Sequence, residues 1–161
     1  MAILSFNGFV NIAVRNVTQQ FPEARLYEAN GTSSTGPVTD PNKIDQLRVV
    51  FRNVNNSTVI IQSTEWGQFG EPSLIKHPWL EDVVINWPVP MDLPKANELK
   101  NAAGFTAPFA NVTLRNPLGP VAGNPYFIFG NSMAQPYIFV DTVTGKVHSS
   151  SVKENVAAEA I

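Results

Sequence analysis

Leu47-Arg48-Val49-Val50-Phe51-Arg52-Asn53 is the stretch that decides the fold. Side chains of an extended strand point alternately to opposite faces. Leu47, Val49 and Phe51 therefore share one side, and Arg48, Val50 and Arg52 the other. One apolar face and one arginine-bearing face describe a strand of an antiparallel sheet covered on a single side. The polar turn Asn53 to Ser57 leads into a second strand, Thr58 to Thr64, rich in the β-branched residues that suit a pleated surface. Upstream, Ala24 to Ala29 reads as a strand closed by the turn signal Asn30-Gly31. From Gly31 to Asn42 the chain has no periodicity, contains Gly36-Pro37 and Asp40-Pro41, and is expected to be a loop. Further upstream, Phe9, Ile12, Ala13, Val17 and Phe21 form the apolar stripe of an amphipathic helix, which Pro22 ends.

The same order returns downstream. Asp92 can cap a helix with Pro94 in its first turn; Ala96, Leu99, Lys100 and Ala103 follow, and Gly104 ends it. Strands are predicted over Phe109 to Arg115, Tyr126 to Asn131 and Pro136 to Thr142, with a turn and a strand restart at Thr144-Gly145-Lys146-Val147. Val50-Phe51-Arg52-Asn53 lies over Ile128-Phe129-Gly130-Asn131, and the same offset brings Val59-Ile60-Ile61 onto Tyr137-Ile138-Phe139. The expectation is one α+β domain over residues 1–161. It would consist of two helix-plus-antiparallel-strands repeats, about 9–64 and 92–147, forming one sheet with the helices on one face. The connector 65–91 belongs to neither repeat. It holds Trp66, Trp79 and Trp87 with Pro72, Pro78, Pro88 and Pro90, a density incompatible with a central strand or an unbroken helix. Within it Val83-Val84-Ile85 reads as a short edge strand, and residues 152–161 read as a frayed helical tail.

Composition narrows the function classes. Hydrophobic residues make up 43% of the 161 and charged residues 15%, the balance of a chain that folds. A net charge of −2, with Lys and Arg scattered singly, offers no field for nucleic acid or an anionic membrane. No apolar run approaches the roughly 20 residues of a membrane helix, so membrane insertion is not expected. The absence of cysteine excludes disulfides, thiolate nucleophiles and cysteine metal sites. Met1 to Asn7 lacks the basic start and long apolar run of a signal peptide. The chain is therefore either intracellular or a secreted form whose signal has been removed. Asn-X-Ser/Thr triplets make Asn16, Asn30, Asn55, Asn56 and Asn111 candidate N-glycosylation sites, with Asn30 and Asn55-Asn56 in turn-like surroundings.

Catalytic chemistry finds no purchase. His77 and His148 have no second histidine or carboxylate at metal-ligand spacing. Glu81-Asp82 are neighbours in sequence and read as solvated rather than as a catalytic pair. No phosphate-cradling glycine run is present. The chain reads as a non-enzyme without a cofactor. Candidate binding residues are Trp66, Phe69, Trp79 and Trp87 of the connector, which either present a platform to a sugar or protein or cover the core. Arg48 and Arg52, on the open sheet face, complete the set.

Tyr137-Ile138-Phe139-Val140-Asp141-Thr142-Val143-Thr144-Gly145-Lys146-Val147 resembles the closing strands of PepSY-like units, where a hydrophobic strand runs into an Asp/Ala-x-Thr-Gly-Lys/Glu-Val turn. The helix-then-strands order of both halves fits that module. A tandem pair resembles the β-lactamase-inhibitor-protein architecture, without the disulfides of those repeats. As a whole, the chain looks like small secreted immunomodulatory proteins of basidiomycete fungi, of the Antrodia or Poria type rather than the immunoglobulin-like Ganoderma type. The first resemblance implies an inhibitor of a peptidase or other enzyme. The second implies a secreted, glycosylated homodimer that engages a protein or glycan on the surface of immune cells. A lectin using the tryptophans is the remaining alternative.

Overall fold

The computed structural model describes residues 4–79, 82–117, 123–131 and 136–150; the tail expected at 152–161 lies outside them. Helix α1 spans Phe6–Gln20. It begins at Phe6 rather than Phe9 because Ser5 caps it, its Oγ accepting from the Gly8 amide at 3.0 Å. Phe6, Phe9, Val10, Ala13 and Val17 are its buried stripe. Helix α2 spans Leu93–Ala102 behind the expected Asp92 cap, whose Oδ1 accepts from the Leu93 amide at 2.7 Å. The same oxygen accepts from the Asn7 amide at 3.2 Å, which ties the two helix starts together.

The strands are β1 (Arg25–Thr32), β2 (Gln46–Asn53), β3 (Ser57–Glu65), β4 (Gln68–Phe69), β5 (Ser73–Ile75), β6 (Asp82–Val83), β7 (Asn111–Pro117), β8 (Tyr126–Gly130), β9 (Ile138–Asp141) and β10 (Val147–Ser149). They form one antiparallel sheet in the order β10-β9-β8-β7-β1-β2-β3-β4, with β5 also on β3 and β6 on β7. The protein is α+β. Leu26, Ala29, Leu47, Val49, Phe51, Val59, Ile61, Val112, Leu114, Phe127, Phe129, Ile138 and Val140 occupy one face and share a core with the buried stripes of both helices. Side-chain alternation along each strand places the remaining residues on the second face.

The Asn30-Gly31 pair is not a turn. β1 runs through it, Asn30 pairing with Arg48 of β2 on one side and Thr113 of β7 on the other. Two flanking ladders outweigh the local turn preference of the dipeptide. Gly31 serves packing instead, because a Cβ there would stand 2.7 Å from Ile44 Cγ2 and 2.9 Å from Phe6 Cε2. The polar turn after β2 is as expected, with Asn55 and Asn56 at φ of 60° and 56°, a region asparagine tolerates better than most residues.

The connector wraps around the sheet. Trp66 and Phe69 pack on Phe9 of α1 at ring-centre distances of 4.6 and 4.3 Å. After β5 the chain crosses the second face, where the carbonyl oxygen of His77 accepts from Thr58 Oγ1. A bulge between Leu26 and Glu28 interrupts the register of β1. There β6 pairs with Pro117 and Asn116, and the Ile85 amide donates to the Leu26 carbonyl at 2.9 Å. The short strand expected over Val83 to Ile85 is thus Asp82–Val83, lying between β7 and the start of β1 rather than at an edge. Ile85 and Val89 then join the helix-side core, and the chain enters α2.

Candidate functional site

The cross-strand registers align one residue from each of seven strands on the second face: Gln62, Arg48, Asn30, Thr113, Ile128, Phe139 and His148. At roughly 4.8 Å per strand the row is about 29 Å long. Its first four residues are polar, and Ile128, Phe139 and the His148 ring complete it. Two shallow depressions follow it and meet at Asn111 and Thr113. One, of about 450 Å³, is lined by Gln46, Arg48, Gln62 and Thr32; the other, of about 490 Å³, by Arg115, Ile128, Tyr137 and Phe139. Tyr137 is 44% exposed. Its ring lies against Gly130, where a Cβ would meet it at 2.4 Å. His148 stacks on Phe139 at 5.4 Å and meets Tyr126 edge-on, so its ring continues an aromatic surface.

The neighbouring row is Ile60, Val50, Glu28, Arg115, Tyr126 and Asp141, and the connector crosses it at Glu28 and Arg115. Val50 is fully buried there although it points away from the helices. An acidic cluster sits at this crossing. Asp82 Oδ1 accepts from Arg115 Nε at 2.6 Å, and its Oδ2 accepts from Trp79 Nε1 at 2.7 Å. Glu28 lies 3.9 Å from the same guanidinium nitrogen and accepts from Asn30 Nδ2 at 2.6 Å; Thr113 Oγ1 donates to Asn30 Oδ1 at 2.8 Å. Burial pushes the Glu28 carboxyl up to about 7. Its hydrogen bond with Asp82 and that group's charge act in the same direction, while Asn30 and Arg115 oppose them. The pair that reads as solvated in the sequence is divided: Asp82 is 5% exposed and fully engaged, while Glu81 lies outside the described residues. Once the strands have paired around it, the arginine and indole donors offset the cost of taking this carboxylate out of water.

The sequence-derived candidates do not gather at one place. Trp66 donates to the Leu4 carbonyl at 2.9 Å and, with Phe69, covers α1. Trp87 donates to Asn11 Oδ1 at 3.1 Å, also beside α1. Of the three tryptophans Trp79 alone lies on the second face, with the Arg48 guanidinium 5.9 Å from its ring centre. Arg52 lies over Tyr27 at 6.0 Å, toward the β2–β3 turn. Glu28, Thr113 and Arg115, which organise the crossing, escaped sequence reasoning, which singles out Asn30 only as a glycosylation candidate and a turn residue. Their signal, polar residues at alternate positions of otherwise apolar strands, marks only a face. Among the glycosylation candidates, Asn55 and Asn56 are exposed in the turn, Asn16 and Asn111 are half-buried, and the Asn30 amide is engaged by Glu28 and Thr113. Among the described residues, no group of three or more histidines and carboxylates could hold a metal, and no helix is long and apolar enough to cross a membrane.

No family model matches the chain, and no curated protein matches it. A solved structure, a putative lipoprotein from Clostridium difficile 630, is similar with a TM-score of 0.58 at 13% identity, over 92% of this chain and 95% of that one. At that identity the likeness is one of fold.

Proposed function

We propose that this chain is a secreted, non-enzymatic binding protein whose uncovered row on the second sheet face docks a protein on the surface of immune cells. The row itself carries the reading. A shallow surface about 29 Å long, polar at one end and aromatic at the other, suits a macromolecular partner, whereas small substrates are held in enclosed pockets. Arg48 and Tyr137 are of the residue types that dominate binding energy in protein interfaces, and phenylalanine, as at 139, is enriched in them. The cellular target comes from the resemblance to fungal immunomodulatory proteins.

The two-repeat architecture belongs to the same proposal. The order β3-β2-β1 on one side of the β1–β7 pairing is mirrored by β7-β8-β9 on the other. Within the aligned segments Phe51 and Phe129 both enter the core, while Val50 and Ile128 both occupy the second face. A tandem unit of this kind supports the inhibitor reading as the runner-up.

Fluorescently labelled, endotoxin-free protein is expected to bind macrophages saturably and to provoke cytokine release. Arg48→Glu combined with Tyr137→Ala is expected to weaken binding at least tenfold, equivalent to about 1.4 kcal/mol or more. Arg15→Glu, on the outer surface of α1, is expected to leave it unchanged. No binding at micromolar protein, or equal binding by the double variant, sinks the proposal. Tight inhibition in a peptidase panel, or a hit on a glycan array, would transfer the face to the inhibitor or lectin reading.

A further inference from the structure

We propose that the cavity beside Lys100 is a binding site for a small monocarboxylate with an aromatic or short aliphatic body. The cavity, about 350 Å³, lies on the helix side of the sheet between the C-terminal end of α2, the loop 104–109, and strands β8 and β9. It is therefore on the opposite side from the face assigned to partner binding and is independent of that reading. Phe105, Phe109, Phe129 and Ile138 form its walls, and the exposed Pro108 and Pro136 flank them. Its volume falls at the lower end of the roughly 300–1,000 Å³ typical of small-ligand sites.

Lys100 is 2% exposed, a degree of burial lysine almost never reaches without a charged partner. Among the described residues it has none: the ion pairs are Lys95 with Glu98 and Arg115 with Glu28 and Asp82. Its Nζ donates to the Phe105 carbonyl at 2.8 Å and to Asn101 Oδ1 at 2.9 Å, both neutral oxygens. An ammonium has three N–H donors, and beside it stand the rings of Phe109 and Phe129, at 5.3 and 5.2 Å. Ring faces attract a cation, but more weakly than an anion does. Burial accordingly lowers the Lys100 pKa. A single carboxylate in the cavity would neutralise this charge while its apolar body filled the aromatic walls. With no second cation among the described residues of the lining, a monoanion fits better than a phosphate.

Calorimetric titration of the whole protein with benzoate and hexanoate, against benzamide and hexanamide, tests the site. At least one acid is expected to bind saturably below about 1 mM and at least tenfold more tightly than its amide. Lys100→Met keeps an unbranched apolar stem and removes the charge, and is expected to abolish the preference for the acid. Equal binding of acid and amide, no saturation up to about 10 mM, or an undiminished acid preference in the variant overturns the proposal. Should Lys100→Met fail to fold, acylation of Lys100 in the wild-type protein, followed by peptide mass spectrometry, decides. Protection by the acid and not by its amide supports the site, and equal labelling with either overturns it.

Discussion

Replacing Glu28 by Gln should stabilise the protein at neutral and alkaline pH and leave it nearly unchanged in acid. Glu28 is 7% exposed, shares the Arg115 guanidinium with Asp82, and has its carboxyl pushed up to about 7 from an ordinary 4.5, chiefly by burial. Between those values the folded chain holds a proton at Glu28 that the unfolded chain has lost. The unfolded state then binds fewer protons, so stability falls as pH rises through the window. At 1.36 kcal/mol per pH unit the cost reaches about 3 kcal/mol above pH 7. Glutamine reproduces the neutral form: its amide can donate to Asp82 while its oxygen accepts from Asn30. Urea titrations of both proteins at pH 4.5, 6 and 8 measure the difference. The variant's advantage should grow from near zero to about 3 kcal/mol, or roughly 6–12 °C in melting temperature. A difference independent of pH, or a variant less stable at pH 8, would refute the reasoning, because the carboxylate would then be contributing attraction to Arg115 rather than a desolvation cost.

Other consequences are open to the same measurements. Gly31→Ala forces a methyl against Ile44 and Phe6 and should cost about 1–3 kcal/mol by denaturant melting; a neutral result would show that the α1–β1 contact yields easily. Asp141 accepts from the Val143 and Thr144 amides and from Asn124. Burial alone would raise its pKa, but these donors outweigh it and leave the pKa lowered. Asp141→Ala should therefore lose about 1–3 kcal/mol at pH 7, a gap that narrows as pH falls below the ordinary carboxylate range. If the protein is made in a glycosylating host, glycopeptide mass spectrometry should find glycan at Asn55 or Asn56 and none at Asn30, whose amide is held by Glu28 and Thr113.

Much of the fold was legible because periodicity reports which side of an element is covered. Leu47, Val49 and Phe51 declared a half-buried strand, and Asp92-x-Pro94 a helix start, and both are found. What failed were readings that depend on distant partners. Asn30-Gly31 looks like a turn until β2 and β7 are known to flank it. Asp82 looks solvated until Arg115, Trp79 and Glu28 converge on it from separate segments. The tryptophans shared one stretch of sequence, but the connector carrying them passes both faces of the sheet, so adjacency in the chain became separation in space. The sheet face was visible through Arg48 and Arg52, whereas its apolar end, Ile128 and Phe139, needed the register of β8 and β9.

The β1–β7 pairing also sets a timetable for synthesis. Asn30 and Thr113, bonded across it, are 83 residues apart in the chain. At roughly 5–20 residues per second, β1 leaves the ribosome several seconds to more than ten seconds before its second partner is made. During that interval the first meander can form, but β1 presents a bare ladder edge, the kind of edge that recruits strands from other molecules. Newly made chains crowded on one messenger can therefore pair β1 with a neighbour's β7 and yield an exchanged dimer through the same contacts that close the monomer.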